Sequence, residues 1–432
     1  MSDPTEAALV WIPKDEEILD EVKELALSAG YSITVEVMQN LRVEDGRFYV
    51  GPGKAEELHE LEVPILIFAS DLTPAQTFNI QSRTEKTVID RIRLILEIFR
   101  KRANSPESRL QVELVDLHHQ LPIVREFVHR GKLSERPGFM GGGEYGVDYY
   151  FNMIRKRMTR VREDLEAHRE RREATRRLRR RRGAHLVAIA GYTNAGKSTL
   201  LNLVSEEEGT LKRAEVKDLL FTTLSTSTRR MRGKRNCLVT DTVGFIRNLP
   251  PWMIEGFMST LEEAFLADVV ILVLDLSDSK DEMVRKLHSS LDILERGETA
   301  GSILLVGNKV DTIPPKEIPD LRALVRAEQR GMVGGFHHIS ALTGEGGAEL
   351  IEMVQSLLPP LGGIRFRVPS GNLLEGVLEE VRRRYGIPVP GDDGWWSVET
   401  EERWLGSIEK LVNRAGGSSE VVMGPYSGSG GL

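Results

Sequence analysis

The sequence predicts an α/β protein in four parts: a parallel α/β layer over residues 1–105, a long antiparallel helical hairpin over 106–182, a doubly wound P-loop domain over 183–360 and a small α+β unit over 361–432. Three observations carry this reading. Short apolar segments alternate with helical stretches in the first hundred residues and again after Gly183, as in parallel sheets covered by helices. From Pro106 the leucines recur at alternating spacings of four and three, the seam of a coiled coil. At Gly191 a strand runs into GYTNAGKS and then into a helix, the context of a phosphate-binding loop.

Composition sets the limits. Of 432 residues 40% are hydrophobic and 28% charged, so the chain folds rather than staying disordered. The longest apolar runs, such as Val269 to Leu274, fall far short of the ~20 residues that span a bilayer, and MSDPTEAALV has no basic-then-apolar signal pattern. A single cysteine, Cys237, excludes an intrachain disulfide and a multi-cysteine zinc site. A cytoplasmic monomer without a membrane anchor is expected. The net charge of −7 argues against a nucleic-acid partner until its distribution is read: Arg155 to Arg182 hold 14 Lys and Arg against 5 Asp and Glu, a local +9 on a body of −16.

In the N-terminal layer, strands are expected at Ala8–Ile12, Ser32–Met38 and Ile65–Phe68, with helices over Glu16–Ala29 and from Lys54. The segment Tyr49-Val50-Gly51-Pro52-Gly53-Lys54 joins a strand to a helix; it lacks a full phosphate-loop signature, and a turn needs the same residues. In the hairpin, Leu110, Leu114, Leu117 and Leu121 face a second seam of Ile154, Met158, Val161 and Leu165, with a glycine-rich loop over Gly131–Gly146 at the tip. The second helix ends in the arginine block Arg169–Arg182. Arginine at this density favours an RNA partner, with Arg176, Arg177, Arg179 and Arg180 among the expected contacts.

In the P-loop domain, strands are expected at His185–Ala190, Cys237–Thr240, Val269–Asp275 and Ser302–Val306, and each motif follows a strand end. In Gly191-Tyr192-Thr193-Asn194-Ala195-Gly196-Lys197-Ser198 the backbone amides wrap a β-phosphate, Lys197 reaches the β/γ oxygens and Ser198 ligates magnesium. In Asp241-Thr242-Val243-Gly244 the carboxylate acts through the magnesium shell and the Gly244 N–H senses the γ-phosphate. In Asn308-Lys309-Val310-Asp311 the Asp311 carboxylate accepts the N1–H and N2–H of guanine, which adenine lacks. Ser340-Ala341-Leu342 offers a backbone N–H to guanine O6. The order of these elements makes this a GTP and GDP site. Phe221-Thr222-Thr223-Leu224-Ser225 lies where a switch segment belongs. The last part, Ile364 to Gly424, should bury Trp395, Trp396 and Trp404 in its core.

These motifs, with LLFTTLSTSTRRM, DTVGFIRNLPPWMIEGFMSTLEEAFLADVVILVLDLSD, YVGPGKAEEL, DRIRLILEIFRKRA and SRLQVELVDLHHQLP, resemble the HflX family of translation-associated GTPases over roughly the first 360 residues. The resemblance implies that Gly191–Ser198, Phe221–Ser225, Asp241–Gly244, Asn308–Asp311 and Ser340–Leu342 line the nucleotide, and that Ser198 and Thr223 ligate magnesium with Asp241 in the outer shell. It also implies the large ribosomal subunit and its RNA as partner, with ribosome splitting or rescue as the outcome. The tip, PGFMGGGEYG followed by VDYYFNMIRKRM, differs from the usual bacterial GxGxRGPGExQLExDRR and resembles the archaeal branch. No catalytic base is assigned; Lys197, Thr223 and Gly244 support the transition state. Phe245 stands where many GTPases have a water-orienting glutamine, so slow intrinsic hydrolysis stimulated by the ribosome is expected. Asn194 occupies the position at which potassium-activated members of the wider class hold a monovalent ion. The competing reading is a constitutive RNA-binding protein with GTP as a structural ligand.

Overall fold

The computed structural model describes residues 4–134, 143–181, 184–206, 227–233, 237–242, 244–246, 250, 252–253, 258–330, 333–359, 361–369, 371–386 and 388–422. They pack into two compact units: one holds residues up to His168 together with Pro250, Trp252, Met253 and 258–260, and the other holds the remainder from Arg169.

The first unit opens with four strands, β1 (Thr5–Trp11), β2 (Tyr31–Met38), β3 (Ile65–Phe68) and β4 (Thr87–Ile89), in the order β2-β1-β3-β4 and all parallel. Crossovers run through α1 (Leu19–Ala29), α2 (Pro52–Glu60) and α3 (Pro74–Thr84). Central β1 reads as a continuous apolar run because both its faces are covered, and Ala8, Val10, Leu66 and Phe68 form a core with Ile80. Two details differ from expectation. Residues Pro13–Ile18 form a 3-10 turn ahead of α1, in which buried Asp15 accepts from the Ile12 N–H (3.0 Å) and from the Tyr49 hydroxyl. No strand precedes Pro52: Tyr49 makes one bridge with Asp45 at φ 67°, Gly51 N–H donates to Gln39 Oε1 (2.7 Å) and Lys54 pairs with Glu57. This segment is a turn, with its amide and its lysine already engaged by other groups of the chain.

After α4 (Arg91–Arg102) come the hairpin helices α5 (Pro106–Ser134) and α6 (Gly143–Arg181), antiparallel and tied by a two-pronged Arg157–Glu113 bond (2.8 Å for one prong). Ile154, Met158 and Val161 are buried as expected, but on α5 the deepest apolar residues are Val112 and Val115, while the seam leucines are half-buried. The reason is that α5 packs on a second side: Asp116 pairs with Arg100 (2.7 Å) and His119 faces Asp90 (3.7 Å). Trp252 stacks on His118, with ring centroids 5.1 Å apart. The helices leave a shorter tip than the expected 131–146, and residues 135–142 lie outside the described set.

In the second unit six strands, β5 (His185–Gly191), β6 (Ser227–Arg230), β7 (Cys237–Asp241), β8 (Val269–Asp275), β9 (Ser302–Asn308) and β10 (Val333–His338), stand in the order β10-β9-β8-β5-β7-β6. All pair in parallel except β6 with β7. Helices α7 (Lys197–Val204), α8 (Met258–Phe265), α9 (Lys280–Arg296), α10 (Ile318–Glu328) and α11 (Gly347–Leu357) follow the strands, and Val187, Ile189, Ile271, Leu304 and Leu200 form the core. From β5 the chain builds β6 and β7 on one side of the sheet and then crosses to β8, β9 and β10 on the other, so the crevice at the C-terminal end of β5 is the topological switch point at which ligands bind.

The last sheet, β11 (Leu361–Arg367), β12 (Val389–Pro390), β13 (Trp396–Glu401) and β14 (Ser418–Val422), is antiparallel in the order β12-β13-β11-β14. With α12 (Asn372–Arg384) and α13 (Glu402–Arg414) it makes a β-α-β-β-α-β unit of ferredoxin-like order. Trp396 packs on its core, but Trp404 is 39% exposed, and Trp395 is half-buried beneath the Arg365 guanidinium, 5.5 Å from the ring centre. Two of the three tryptophans therefore lie outside the expected core. Among the described residues no helix is long and apolar enough to cross a membrane.

Candidate nucleotide site

The loop after β5 is shaped by three residues with positive φ, Gly191 (140°), Asn194 (63°) and Gly196 (90°). Two of these positions require glycine for space as well: a Cβ on Gly191 would lie 2.4 Å from the Val273 carbonyl oxygen, and one on Gly196 would lie 2.2 Å from Asn308 Nδ2. The loop closes on the N-terminus of α7, whose amides and dipole suit an anion. Lys197, the first residue of that helix, is buried and donates to the Tyr192 carbonyl (2.6 Å). Burial pushes its ammonium down to about 8, against the opposing pull of Asp241.

Beside the loop, Asp241 is fully buried at the end of β7 and accepts from Ser198 Oγ at 2.9 Å. A hydroxyl and a carboxylate, both oxygen donors, fit a magnesium ion that keeps water and phosphate oxygens as its other ligands. Among the described residues no three His, Cys, Asp or Glu side chains cluster into a metal site. Thr242 donates to the Ile189 carbonyl through both its N–H (3.1 Å) and its hydroxyl (2.8 Å). Gly244 has no room for a side chain, since a Cβ would stand 2.7 Å from Thr193 Cγ2 and 3.0 Å from Lys197 Nζ. Phe245 is buried, and its backbone zips to the loop: its N–H donates to the Gly191 carbonyl (3.0 Å) and its carbonyl accepts from the Thr193 N–H (2.9 Å). Phe221, Thr222, Thr223, Leu224, Ser225 and Val243 lie outside the described residues.

On the base side, Asn308 is a staple. Its Nδ2 donates to the Ala195 carbonyl (2.8 Å) and its Oδ1 accepts from the Ala341 N–H (2.9 Å), so one side chain sets the spacing of three loops. Lys309, at φ 67°, pairs with Asp275 at 2.6 Å. Val310 is buried, and Asp311 is exposed on the following 3-10 turn. The Ser340 N–H donates to the Glu345 carbonyl (3.0 Å) and Ala341 is taken by Asn308, so of the three amides in this motif Leu342 is the one with no protein acceptor among the described residues. Sequence reasoning missed two supports. Asp275 was legible only as the acid ending the strand VVILVLD. Lys286, which pairs with Asp278 (2.8 Å) and lies 5.4 Å from the centre of the Tyr192 ring, had no motif to mark it.

A doubly wound sheet with a curled loop at its switch point, a buried lysine opening the next helix, a buried Ser–Asp pair and a carboxylate on the base side defines the class of P-loop GTPases. Three family models match the chain: "GTP-binding GTPase N-terminal" over residues 16–100, "GTP-binding GTPase Middle Region" over 102–180 and "50S ribosome-binding GTPase" over 186–309. GTPase HflX of Thermococcus kodakarensis is 42% identical over 369 residues, covering 83% of this chain and 82% of that protein. GTPase HflX of Thermofilum pendens is 38% identical over 409 residues, covering 93% and 94%. A crystal structure of SsGBP in complex with GDP shares 26% identity, with a TM-score of 0.51, and covers 82% of this chain and 98% of that one. The chain belongs to the GTPase HflX family, and it binds and hydrolyses GTP.

Proposed function

We propose that the protein docks on the large ribosomal subunit through its RNA, that the nucleotide state governs docking and release, and that the outcome is ribosome splitting or rescue. The observation that carries this is α6, a 39-residue helix whose arginine-rich end exposes Arg171 and Arg177 to solvent. The family description "50S ribosome-binding GTPase" supports the same partner.

In this reading the loop from Gly191 to Ser198 wraps the β-phosphate, Lys197 carries positive charge to the β/γ oxygens, and Asp311, Lys309 and Leu342 read guanine. Ser198 and Thr223 would hold magnesium, with Asp241 behind Ser198; when bound, the ion offsets phosphate charge. The Gly244 N–H would meet the γ-phosphate, and a side chain at this position would crowd Thr193 and Lys197. Phe245, buried and apolar, holds no attacking water, so free turnover is slow and an ordering partner raises it.

Replacing the exposed Arg171 and Arg177 with Ala tests the docking surface. Cosedimentation with large subunits should weaken, and its log–log salt slope should fall by about 0.7–0.9 per lost phosphate contact, with GTP affinity unchanged. Binding that ignores salt and both changes would return this face of α6 to the solvent.

Potassium is the second expectation. Asn194 is exposed on the loop in a left-handed conformation that asparagine tolerates well, and no glutamine shares the work of placing the water. Turnover in potassium chloride should exceed that in sodium chloride by about tenfold, well below the ~10³–10⁵ of an arginine finger. The advantage should vanish in Asn194→Ala. Equal rates in the two salts, both free and ribosome-bound, would remove the ion.

A further inference from the structure

Two groups of paired charges stand in the second unit. On α6, Arg169, Arg172 and Arg176 meet Glu262 at 3.4, 3.2 and 3.3 Å, Arg176 also meets Glu263 at 3.5 Å, and Arg169 also meets Glu173 at 3.9 Å. Arg176 is only 13% exposed, so it does not face solvent, contrary to its expected place among the RNA contacts. The other group lies beside the nucleotide loop. Lys286 on α9 reaches back toward the start of its helix, to Asp278 at 2.8 Å with Glu282 at 3.9 Å, and its ammonium stands 5.4 Å from the centre of the Tyr192 ring.

The ring that Lys286 covers belongs to the residue whose carbonyl holds Lys197. The Tyr192–Thr193 peptide accepts from Lys197 Nζ at its carbonyl (2.6 Å) and donates from its N–H to the Phe245 carbonyl (2.9 Å). Phe245 directly follows Gly244, the expected γ-phosphate sensor, so this second tie belongs to a segment expected to respond to nucleotide. By contrast, α9 is seated by buried Met283, Leu287 and Leu291. A cleft of about 260 Å³ lies between the loop and α9, lined by Tyr192, Val273, Asp278, Met283, Lys286 and Ser290. Close packing therefore does not fix the loop on this side, and the Lys286–Asp278 pair supplies the contact that a filled core would give. Burial pushes the Asp278 carboxyl up against the opposing pull of Lys286, which marks a partly dry place, where a cation over an aromatic face is held more firmly than in water.

We propose that Lys286 and Asp278 are positioning residues for GTP hydrolysis: they clamp the Tyr192 ring to α9 and so fix the carbonyl that aims Lys197 at the β/γ oxygens. This rests on the reading that Lys197 meets those oxygens. Aim matters because a displacement of about 1 Å can cost about 10² in rate. The clamp acts on the transition state more than on bound GTP. Negative charge on the leaving β-phosphate grows only as the bond to the γ-phosphate breaks, whereas the loop amides hold the β-phosphate throughout.

The test uses the full-length protein, with turnover measured across GTP concentrations and GDP affinity measured by titration. Lys286→Met keeps the stem and removes the charge, so kcat should fall about tenfold. KM and GDP affinity should each move by less than about threefold, the split expected when only the transition state loses support. Lys286→Arg should restore most of the rate, since a guanidinium also sits over an aromatic face. In a Tyr192→Leu background Lys286→Met should cost nothing further, as for two residues acting through one contact. Unchanged kcat in Lys286→Met, a loss that Lys286→Arg does not rescue, or an undiminished loss in the Tyr192→Leu background would each overturn the clamp. Should Lys286→Met not fold, Asp278→Asn decides: it unseats Lys286 and should lower kcat in the same way, and an unchanged kcat would overturn the proposal. Lys197→Ala separates the two failures. If it lowers turnover while Lys286→Met does not, Lys197 serves the phosphates without a clamp; if it leaves turnover unchanged, the reading of Lys197 falls and the clamp falls with it.

Discussion

Asp311→Asn should abolish ordinary GTP binding and create binding of xanthosine triphosphate. Asp311 stands exposed on a 3-10 turn that Lys309 enters at φ 67° and that the Val310 N–H ties to the Ile339 carbonyl (3.2 Å), so its carboxylate is presented by a fixed backbone. A carboxylate accepts both N1–H and N2–H of guanine; an amide turns one of those acceptors into a donor and faces the N2–H with an N–H. Mismatching a polar site in this way costs on the order of 10⁴–10⁵ in discrimination. Xanthine carries a C2 carbonyl that accepts from the new amide. Nucleotide titration checks this, and unchanged GTP affinity in the variant would remove Asp311 from the base site.

Lys197→Ala should lower turnover by about 10²–10³, the usual loss when one charge-stabilising group leaves a water-poor site. The unmodified lysine carries a sharper signature. In the free protein burial brings its ammonium down to about 8, and phosphate oxygens favour the charged form, so binding raises that value. GTP affinity should therefore be flat below pH 8 and fall about tenfold per unit above it, until the value for the bound state is reached. For folding the sign is opposite: the site depresses the lysine relative to the unfolded chain, so its cost to stability is full below pH 8 and is relieved as pH rises further. Calorimetric titrations at pH 7, 8 and 9 test the slope. An affinity that stays level across that range would mean the ammonium is not what meets the phosphates.

Much of this architecture was legible. The strand at Val269–Asp275 and the phosphate-loop context are strong local signals, since a buried parallel strand must be apolar on both faces and a curled loop must hold glycine. Other elements carried no such signal. Strand β6, with the sequence STRR, is charged because it is a sheet edge, and β10, VGGFHH, hides behind two glycines. The position of the expected nucleotide residues follows from strand ends, but their restraints do not. Asn308 bonding both Ala195 and Ala341 joins segments far apart in the chain, and no periodicity announces that. The arginine block was legible as charge, yet its division into a solvent face and a face against Glu262 depends on where α8 packs. Spacing alone shows that Arg169, Arg172 and Arg176 share a side, not which side is covered.

The account turns on whether the ribosome acts on the nucleotide site. GTP turnover of the unmodified protein, measured with and without saturating purified large subunits, tests it most directly. The account predicts slow turnover alone, because Phe245 is buried and places no water, and a rise of at least about 10²-fold with subunits, lost in the Arg171→Ala and Arg177→Ala double variant. Turnover that stays the same at saturation, with the protein still cosedimenting in every nucleotide state, would contradict it and leave a constitutive RNA-binding protein in which GTP is a structural ligand.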